Sequence, residues 1–345
     1  MSLSRPANFP LLKLPWLCIE SVIRSWDIFD IVFFALVSQK TRRIVKHLKI
    51  PLNGIRIILS DKTWLWLCGL SKIWCFQKTS LESLFDQQLR NTPLMLRNNP
   101  IPLYTSRKDD HHLVSYTDGN EATALKMAME FLNEVFKCSV EHVFIENSFF
   151  PESLGVKSTI SLNIRFNNSL PFSKAQNLQL TLLLESLEVT GTCKLLLSNT
   201  EGGYYVNPKL FKCKKLEFCT GSAVWVTRDI LLQFDVPRLK FHDCPFSVED
   251  ILSFITNWFH SDNKKLEFLY IGHQNKNISL EQLRGLNPVP FSERTRIPPS
   301  EPFTRIDFSE GLEIVRQDGL QATIHVKGRD FLFHIWHDQP AITQN

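Results

Sequence analysis

The sequence lacks any long uninterrupted hydrophobic run. Its most apolar stretch, IFDIVFFALV at residues 28–37, is far shorter than the roughly 18 residues that a membrane-spanning helix requires. A secretory signal needs an unbroken core of about 7 to 15 apolar residues, but Lys13, Pro15 and Glu20 interrupt the apolar start of this chain. We therefore expect a soluble protein of the cytoplasm or nucleus, with neither a membrane span nor a signal peptide.

Closely paired cysteines are also missing. The eight cysteines are scattered without a C-x-x-C pair, and a chain of 345 residues can build a core without disulfides, so we expect reduced thiols. Two segments, DDHH at 109–112 and HDC at 242–244, contain residue types that ligate metals or act as nucleophiles. The first lies in loop-like sequence without a second cluster, and Cys244 falls on an inward position of the repeat described below. We therefore predict no metal and no cofactor.

No familiar catalytic motif occurs in the chain. The sequence contains no P-loop, no G-x-G-x-x-G after a strand, no G-x-S-x-G and no H-E-x-x-H. The formal net charge of +4 is small and the basic residues are scattered, so neither nucleic acid nor a membrane is indicated as a partner. The composition, with 43% hydrophobic residues and 26 phenylalanines, is that of a globular protein. These features favour a folded, non-enzymatic protein and leave its partners open.

The first fifty residues predict three short helices. Pro15 suits a first helical turn, and apolar residues at helical spacing follow it. The second helix, at residues 28–37, is apolar on nearly every side, and Ser38 can cap a third, basic helix with the sequence QKTRRIVKHLK. So small a unit cannot cover the second helix alone. Another surface must cover it, either in a partner or in the rest of this chain.

The same segment carries a Leu-Pro pair, then spaced aliphatic residues, an Asp-aliphatic pair and a Val-Ser pair. In this order, over Phe9 to about Lys49, it resembles the F-box, and FPLLKLP and SQKTRRIVKHL are similar to the branch expanded in nematodes. The resemblance implies docking on a Skp-type linker protein and, through it, on a cullin-based ubiquitin ligase. The implied linker-binding residues are Leu14, Pro15, Ile19, Val22, Ile23, Ile31, Phe34, Val37 and Ser38.

After the third helix the pattern changes. Residues 51–70, PLNGIRIILSDKTWLWLCGL, predict a hairpin-like strand pair with a Ser-Asp-Lys turn. No element is predicted between about Gln77 and Asp118. Asp118 and Glu121 then have the spacing of a capping box, and an apolar helical face follows them. We place an F-box at 8–49, a connecting region with a strand pair and loops at 50–118, and an F-box-associated domain at 119–345.

One short phrase recurs in the second half: apolar-x-x-apolar-x-apolar, followed by a small or polar residue. Its copies include TISLNIRFN, LESLEVTGT, CKKLEFCTG, VPRLKFHDC and LEFLYIGHQ. The copies are mostly 20 to 30 residues apart, close to the period of leucine-rich repeats. If the second apolar position of each copy is the marker, the markers are Val143, Leu162, Leu187, Leu216, Leu239, Leu269 and Ile306.

Helix candidates separate these copies: TRDILLQF, SVEDILSFITNWF with a capping box at Ser247 and Asp250, and SLEQLRGL at 279–286. Alternating strands and helices predict a parallel sheet curved into an arc, with helices on its convex side. The closing RQDGLQATIHVKGRDFLFHIWH predicts a hairpin through Lys327-Gly328 that covers the last sheet edge. This half also resembles the F-box-associated region of the nematode branch. The predicted fold class is α/β, with a three-helix F-box followed by a leucine-rich-repeat-like domain.

The concave face of such a sheet presents the side chains that flank the buried marker positions. A protein target is a natural ligand for so extended a surface, although the same side chains are also typical of solvated strands. Three functions stay open: a substrate-recruiting adaptor in ubiquitin-dependent degradation, a non-degradative protein-binding scaffold, and an enzyme of unrecognised type. The candidate target-binding residues are Glu188, Glu217, Lys240, His242, Tyr270 and Asp307.

Overall fold

The computed structural model describes residues 10–78, 93–94, 103–117, 121–146, 154–166, 173–197, 205–272, 283, 285–291 and 308–337. The chain divides into two compact units. The first unit comprises residues 1–58, 62–140 and 153–156, and the second comprises residues 59–61, 141–152 and 157–345. Both units combine helices with strands, which confirms the α/β class.

The first unit begins with the three predicted helices: α1 (Trp16–Arg24), α2 (Ile28–Val37) and α3 (Gln39–Leu48). Asp27 caps α2 by accepting a hydrogen bond from the backbone N–H of Phe29 at 2.9 Å. Ser38 caps α3 as predicted, in a reciprocal capping box with Thr41. These caps satisfy N–H groups that a helix start would otherwise leave unpaired, and they fix the two short turns.

A sheet follows in the same unit. Its strands are β1 (Ile55–Leu59), β2 (Thr63–Leu67), β3 (Lys72–Lys78), β4 (Pro93–Leu94), β5 (Leu103–Arg107) and β6 (His112–Thr117), in the order β1-β2-β3-β6-β5-β4. The predicted pair β1 and β2 is confirmed. Strands β4 to β6 lie where no element was predicted, because they are short and lack clean alternation. Strand β6, for example, buries three consecutive residues and pairs parallel with β3.

The predicted helix after this sheet is α4 (Glu121–Phe136), whose predicted cap at Asp118 lies outside the described residues. Helix α4 belongs to the first unit and packs against α3. The Arg42 guanidinium of α3 lies 5.3 Å from the Phe131 ring centre and 4.0 Å from the Glu134 carboxylate. The three N-terminal helices therefore share a compact unit with strands and α4, whereas the sequence assigned these segments to three different regions.

The second unit contains a parallel sheet. Its strands are β7 (Val140–Glu146), β8 (Ser158–Phe166), β9 (Glu188–Leu197), β10 (Lys215–Phe218), β11 (Arg238–Phe241) and β12 (Phe268–Gly272), each parallel to the next. Five of the predicted repeat markers lie directly opposite one another, but Leu187 does not, because it precedes β9. Cys193 takes its place in the row, which is Val143, Leu162, Cys193, Leu216, Leu239 and Leu269.

This row is buried, at 0 to 1% exposure, on the same sheet face as a second apolar row. Rings from the second row and from neighbouring loops contact each other, as in the stacked pair Phe218 and Phe241 at 5.1 Å. The opposite face of the same strands carries charged and polar side chains. The last predicted marker, Ile306, lies outside the described residues.

Helices connect several of these strands: α5 (Lys174–Ser186), α6 (Arg228–Leu231) and α7 (Val248–His260). The last two were predicted, and α7 begins with the predicted capping box of Ser247 and Asp250. Only Leu283, Gly285 and Leu286 of the third helix candidate are described. None of the helices in the described ranges combines the length and apolar character that a membrane crossing needs.

Four antiparallel strands continue the sheet beyond β12: β13 (Val289–Pro290), β14 (Leu312–Val315), β15 (Gln321–Lys327) and β16 (Asp330–Trp336). The hairpin of β15 and β16 turns at Gly328, whose φ of 59° suits glycine, so the predicted hairpin is confirmed. Strand β16 pairs with β12 and covers its edge. The strand at the far end of this sheet is β13, so the hairpin itself does not form the edge.

Candidate functional site

The predicted linker-binding residues of the first unit separate into exposed and buried groups. Pro15 and Ser38 are exposed, and the Val37 side chain is 73% exposed. Leu14, Val22 and Phe34 are half-buried. Three others are buried within the unit and hold its helices together, so a partner would not contact them in this conformation: Ile19, Ile23 and Ile31.

Helix α2 is covered mainly by its own unit, which is one of the two possibilities that the sequence left open. Six of its ten residues are buried. The Lys72 ammonium of β3 lies 5.4 Å from the Phe29 ring centre and 2.7 Å from the Asp27 carboxylate, so the β-sheet region helps to cover the start of α2. The apolar surface that remains is at Val37 and around α1.

Three apolar side chains near the Leu-Pro pair were not among the predicted contacts. Leu12 is 40% exposed, Trp16 39% and Leu17 76%. The Trp16 ring packs edge-on against the ring of His47 in α3, with 5.3 Å between ring centres. Beside this contact lies a groove of about 660 Å³, the α1 groove, lined by Trp16, Gln39, Lys40, Arg43, Ile44 and His47. The sequence could have indicated Leu12, Trp16 and Leu17 as contact residues, because all three lie within three positions of the Leu14-Pro15 pair.

The second unit brings several predicted target-binding residues together. The strand register places Lys194, Glu217, Lys240 and Tyr270 side by side on the polar sheet face, and we call these four residues the polar row. Within it, the Lys194 ammonium donates to the Glu217 carboxylate at 2.7 Å. The ring nitrogen Nε2 of His242 lies 3.6 Å from the same carboxylate, and the Lys215 ammonium lies 3.8 Å from it. Glu217 is therefore the anionic centre of a mixed-charge group.

The surroundings of Glu217 favour its ionised form. Interaction with the His242 side chain, followed by that with the Lys194 ammonium, lowers the pKa of Glu217 to about 2, against an opposing effect of burial. The same hydrogen bond raises the pKa of Lys194. Near neutral pH, Glu217 and Lys194 therefore form a stable ion pair, and Glu217 does not act as a proton donor or acceptor.

A cavity of about 430 Å³ adjoins the C-terminal ends of β9 to β12, and we call it the end cavity. Tyr270 forms part of its wall and donates its hydroxyl proton to the Asp330 carboxylate at 3.0 Å. The His242 ring lies beside Tyr270, with 5.2 Å between ring centres. Burial, followed by the Asp330 hydrogen bond, raises the pKa of the Tyr270 hydroxyl, which therefore stays protonated.

The end cavity has a second carboxylate, Asp243, which follows β11. Its Oδ2 atom accepts a hydrogen bond from the Thr220 hydroxyl at 2.7 Å. Asp243 adopts a left-handed backbone conformation, with φ of 50°, and Gly272 lies close to it. A Cβ at Gly272 would lie 3.2 Å from the Tyr270 hydroxyl oxygen, so glycine leaves room for that side chain.

The remaining predicted target-binding residues lie apart from this cavity. Glu188 is exposed at the opposite, N-terminal end of β9. Lys240 belongs to the polar row, but its ammonium lies over the Phe268 ring, 5.5 Å from the ring centre. Asp307 lies outside the described residues.

Sequence reasoning missed Lys194, Asp243 and Asp330. Lys194 follows Cys193, so the correct marker in β9 would have identified it. Asp243 was visible only as the middle of the HDC segment, where attention fell on its neighbours. Asp330 reaches Tyr270 across 60 sequence positions through the pairing of β16 with β12, which no local pattern indicates.

The two segments considered for metal or nucleophilic chemistry have structural roles. Asp109 accepts hydrogen bonds from the backbone N–H groups of His111 and His112 at 2.7 and 2.8 Å, as in a tight turn. The His111 bond, followed by interaction with the His112 side chain, lowers the pKa of Asp109. Cys244 is buried, and burial raises its pKa to about 12, so its thiol is not activated. Throughout the ranges that the structure describes, no group of three or more His, Cys, Asp or Glu side chains is placed to hold a metal ion.

Comparison with known proteins connects this unit to a family. Residues 208–271, which contain β10, β11, α6, α7 and all but the last residue of β12, match a family model described as F-box associated. The chain is also 27% identical over 343 residues to a Caenorhabditis elegans protein described as uncharacterized protein F59B2.8, covering 91% of this chain and 74% of that protein. No solved structure matches the chain. The likeness to the F-box-associated family is thus carried by the segment that holds Glu217, Lys240, His242 and Tyr270.

Proposed function

We propose that the protein is a substrate-recruiting adaptor of a Skp/cullin/F-box type ubiquitin ligase. In this proposal the first unit binds a Skp-type linker protein, and the polar sheet face of the second unit binds a protein target. The observation that carries the proposal is the F-box-associated match at residues 208–271, because this segment supplies three of the four residues of the polar row. F-box-associated regions accompany an F-box, and residues 9–49 resemble one.

The exposed apolar side chains of the first unit support a docking surface near the Leu-Pro pair. Leu12, Trp16 and Leu17 flank this pair and are 39 to 76% exposed, and such a grouping of exposed apolar side chains is more typical of an interaction surface than single exposed ones are. Basic side chains surround the α1 groove, so the surface combines apolar contact area with positive charge. Such a combination is typical of an interface with an apolar centre and a polar rim.

The proposed role is non-catalytic, and the compartment would be the cytoplasm or the nucleus. An adaptor accelerates ubiquitin transfer only by holding target lysines near the loaded enzyme, which raises their effective concentration. It needs no cofactor and no nucleophile of its own. The settled Glu217 ion pair and the unactivated Cys244 thiol agree with such a role.

Co-purification tests the linker contact. The intact chain, tagged, is co-expressed with nematode Skp-type linker proteins and compared with the variants Leu17→Asp and Val37→Asp. We expect each variant to retain less than about a tenth of the linker, because a carboxylate in an apolar interface centre costs more than 1.4 kcal/mol. The matched control is Leu178→Asp on α5 of the second unit, where Leu178 is 61% exposed, and it should bind normally.

The outcome also separates the proposal from its alternatives. Recovery of a cullin together with the linker supports a ligase adaptor. Recovery of the linker without a cullin supports the non-degradative scaffold. If the intact chain binds no Skp-type protein at all, the adaptor proposal is wrong. The N-terminal helices would then act only as a cap on their own unit, a role that the burial of α2 favours.

A further inference from the structure

The end cavity of the second unit has features of a site for one particular side chain. It opens where parallel strands end, and it is lined among others by Lys194, His242, Asp243, Tyr270, Arg329 and Asp330. Its volume of about 430 Å³ lies in the range of cavities that bind small ligands or single inserted side chains. It is therefore large enough to admit part of a partner.

The charges around the end cavity leave two carboxylates with unused capacity. Two of the lining residues are a lysine and an arginine: Lys194 is already paired with Glu217, and Arg329 is exposed to solvent. Asp243 and Asp330 each accept one hydroxyl hydrogen bond, from Thr220 and Tyr270, and no described basic side chain forms an ion pair with either of them. A carboxylate has two oxygens that accept several hydrogen bonds in total, so both can receive further donors.

The walls between these carboxylates suit a flat cation. Tyr270 presents an aromatic ring, His242 packs against it, and Leu196 adds apolar surface. A guanidinium group stacks on aromatic rings and donates to carboxylates with several N–H groups at once, while its aliphatic stem covers apolar surface. A phosphate or carboxylate ligand would find the exposed cation Arg329 in the lining, but it would also meet the negative charges of Asp243 and Asp330.

We infer that the end cavity holds an arginine side chain of the protein target. The guanidinium donates to Asp243 and Asp330, and its plane lies against the Tyr270 ring. This inference rests on the proposed function in that it takes the second unit to be the target-binding part. It narrows the target class to proteins with an exposed arginine in an extended or loop segment.

The test uses the full-length chain and three blocked peptides observed by saturation-transfer NMR: acetyl-Gly-Arg-Gly-amide, the same peptide with neutral citrulline, and the same peptide with phosphoserine. Citrulline has nearly the shape of arginine but no charge. We expect the arginine peptide to bind at least about tenfold more tightly than the citrulline peptide, since hydrogen bonds between charged groups are about twice as strong as neutral ones.

Two variants test whether the arginine peptide binds in the end cavity. Asp243→Asn and Asp330→Asn remove one charge each but keep an oxygen that accepts from Thr220 or Tyr270, and asparagine tolerates the left-handed backbone at position 243. Each should weaken binding of the arginine peptide about tenfold. The control Asp262→Asn removes an exposed carboxylate in the loop between α7 and β12 and should leave binding unchanged.

Equal binding of the arginine and citrulline peptides would overturn the inference, as would tighter binding of the phosphoserine peptide. Unchanged binding of arginine to both asparagine variants would also overturn it. The Skp-type linker test is independent of these results, because it concerns the first unit. An arginine-binding chain that binds no linker would refute the proposed function and leave this inference standing.

Discussion

At the scale of single residues, Glu217 is the most strongly perturbed group of the polar row. Its carboxylate contacts Lys194 at 2.7 Å and lies near His242, and only 14% of its side chain is exposed. These neighbours bring its pKa from an ordinary 4.5 to about 2. A lowered pKa means that the folded state binds a proton less readily than the unfolded state, so the ionised carboxylate stabilises the fold.

We expect Glu217→Gln to lower the free energy of unfolding at pH 7 by about 1 to 3 kcal/mol. This loss of stability should have its full size above pH 4.5. It should shrink as the pH falls from 4.5 towards about 2, because Glu217 of the native protein is then protonated and loses its negative charge as well. Urea denaturation of the native chain and the variant across this pH range measures the difference. Glu188→Gln, at an exposed position, should show almost none. A pH-independent loss would contradict the charge argument.

Cys193 shows what a residue-level pattern can and cannot predict. The repeat pattern correctly located the buried residues of five strands, because burial of one face imposes an apolar residue at every second position. It failed at β9, where "LESLEV" fits the pattern but ends a helix and starts the strand. The true register follows from pairing with β8, in which two steps from Thr159 to Ser161 oppose three steps from Val189 to Thr192, so β9 carries one extra residue as a bulge. The bulge shifts the register, and its local sign in the sequence is Gly191, where a Cβ would lie 2.5 Å from the Ile160 carbonyl oxygen.

At the scale of elements, helices were predicted most completely where an apolar face is combined with a capping residue at the N-terminal end. Helices α3 and α7 combine an apolar face with a capping residue, and both were found with their caps. Helix α5 also has a capping box, at Ser173 and Gln176, but its apolar residues are spread around the helix and it was missed. Strands β4 to β6 carry too little periodicity to be recognised, and β6 is held in the sheet by pairing with the distant strand β3.

Ser247→Ala should destabilise α7 and the second unit by about 1 kcal/mol, because the Ser247 hydroxyl accepts from the backbone N–H of Asp250 at 3.1 Å. Ser247→Asp should restore most of the loss, since aspartate caps helices equally well. The midpoint of urea unfolding, followed by far-ultraviolet circular dichroism, measures both. A loss that aspartate does not restore would show that the hydroxyl acts through something other than the cap.

At the scale of the whole molecule, the sequence predicted the kinds of structure better than their grouping. Three helices, a parallel sheet and a closing hairpin are all present, but α4 lies with the N-terminal helices. This grouping depends on contacts such as that between Arg42 and Phe131, which join residues 89 positions apart, by subtraction. The candidate site was only partly predicted, because it too depends on a contact between residues far apart in the sequence. The strands supplied Glu217, His242 and Tyr270, whereas Asp330 comes from a distant hairpin.

The distribution of thiols across the molecule has a practical consequence. Seven of the eight cysteines are buried, and the exposed one, Cys18, lies on α1 directly after Leu17. A maleimide dye should therefore attach to one position of the native chain, and mass spectrometry of the tryptic peptides would identify it as Cys18. If a Skp-type protein covers α1, the complex should react several-fold more slowly than the free chain. Labelling at an unchanged rate in a verified complex would locate the docking surface elsewhere. The chain thus carries its own footprinting reporter at the surface where its first partner is proposed to bind.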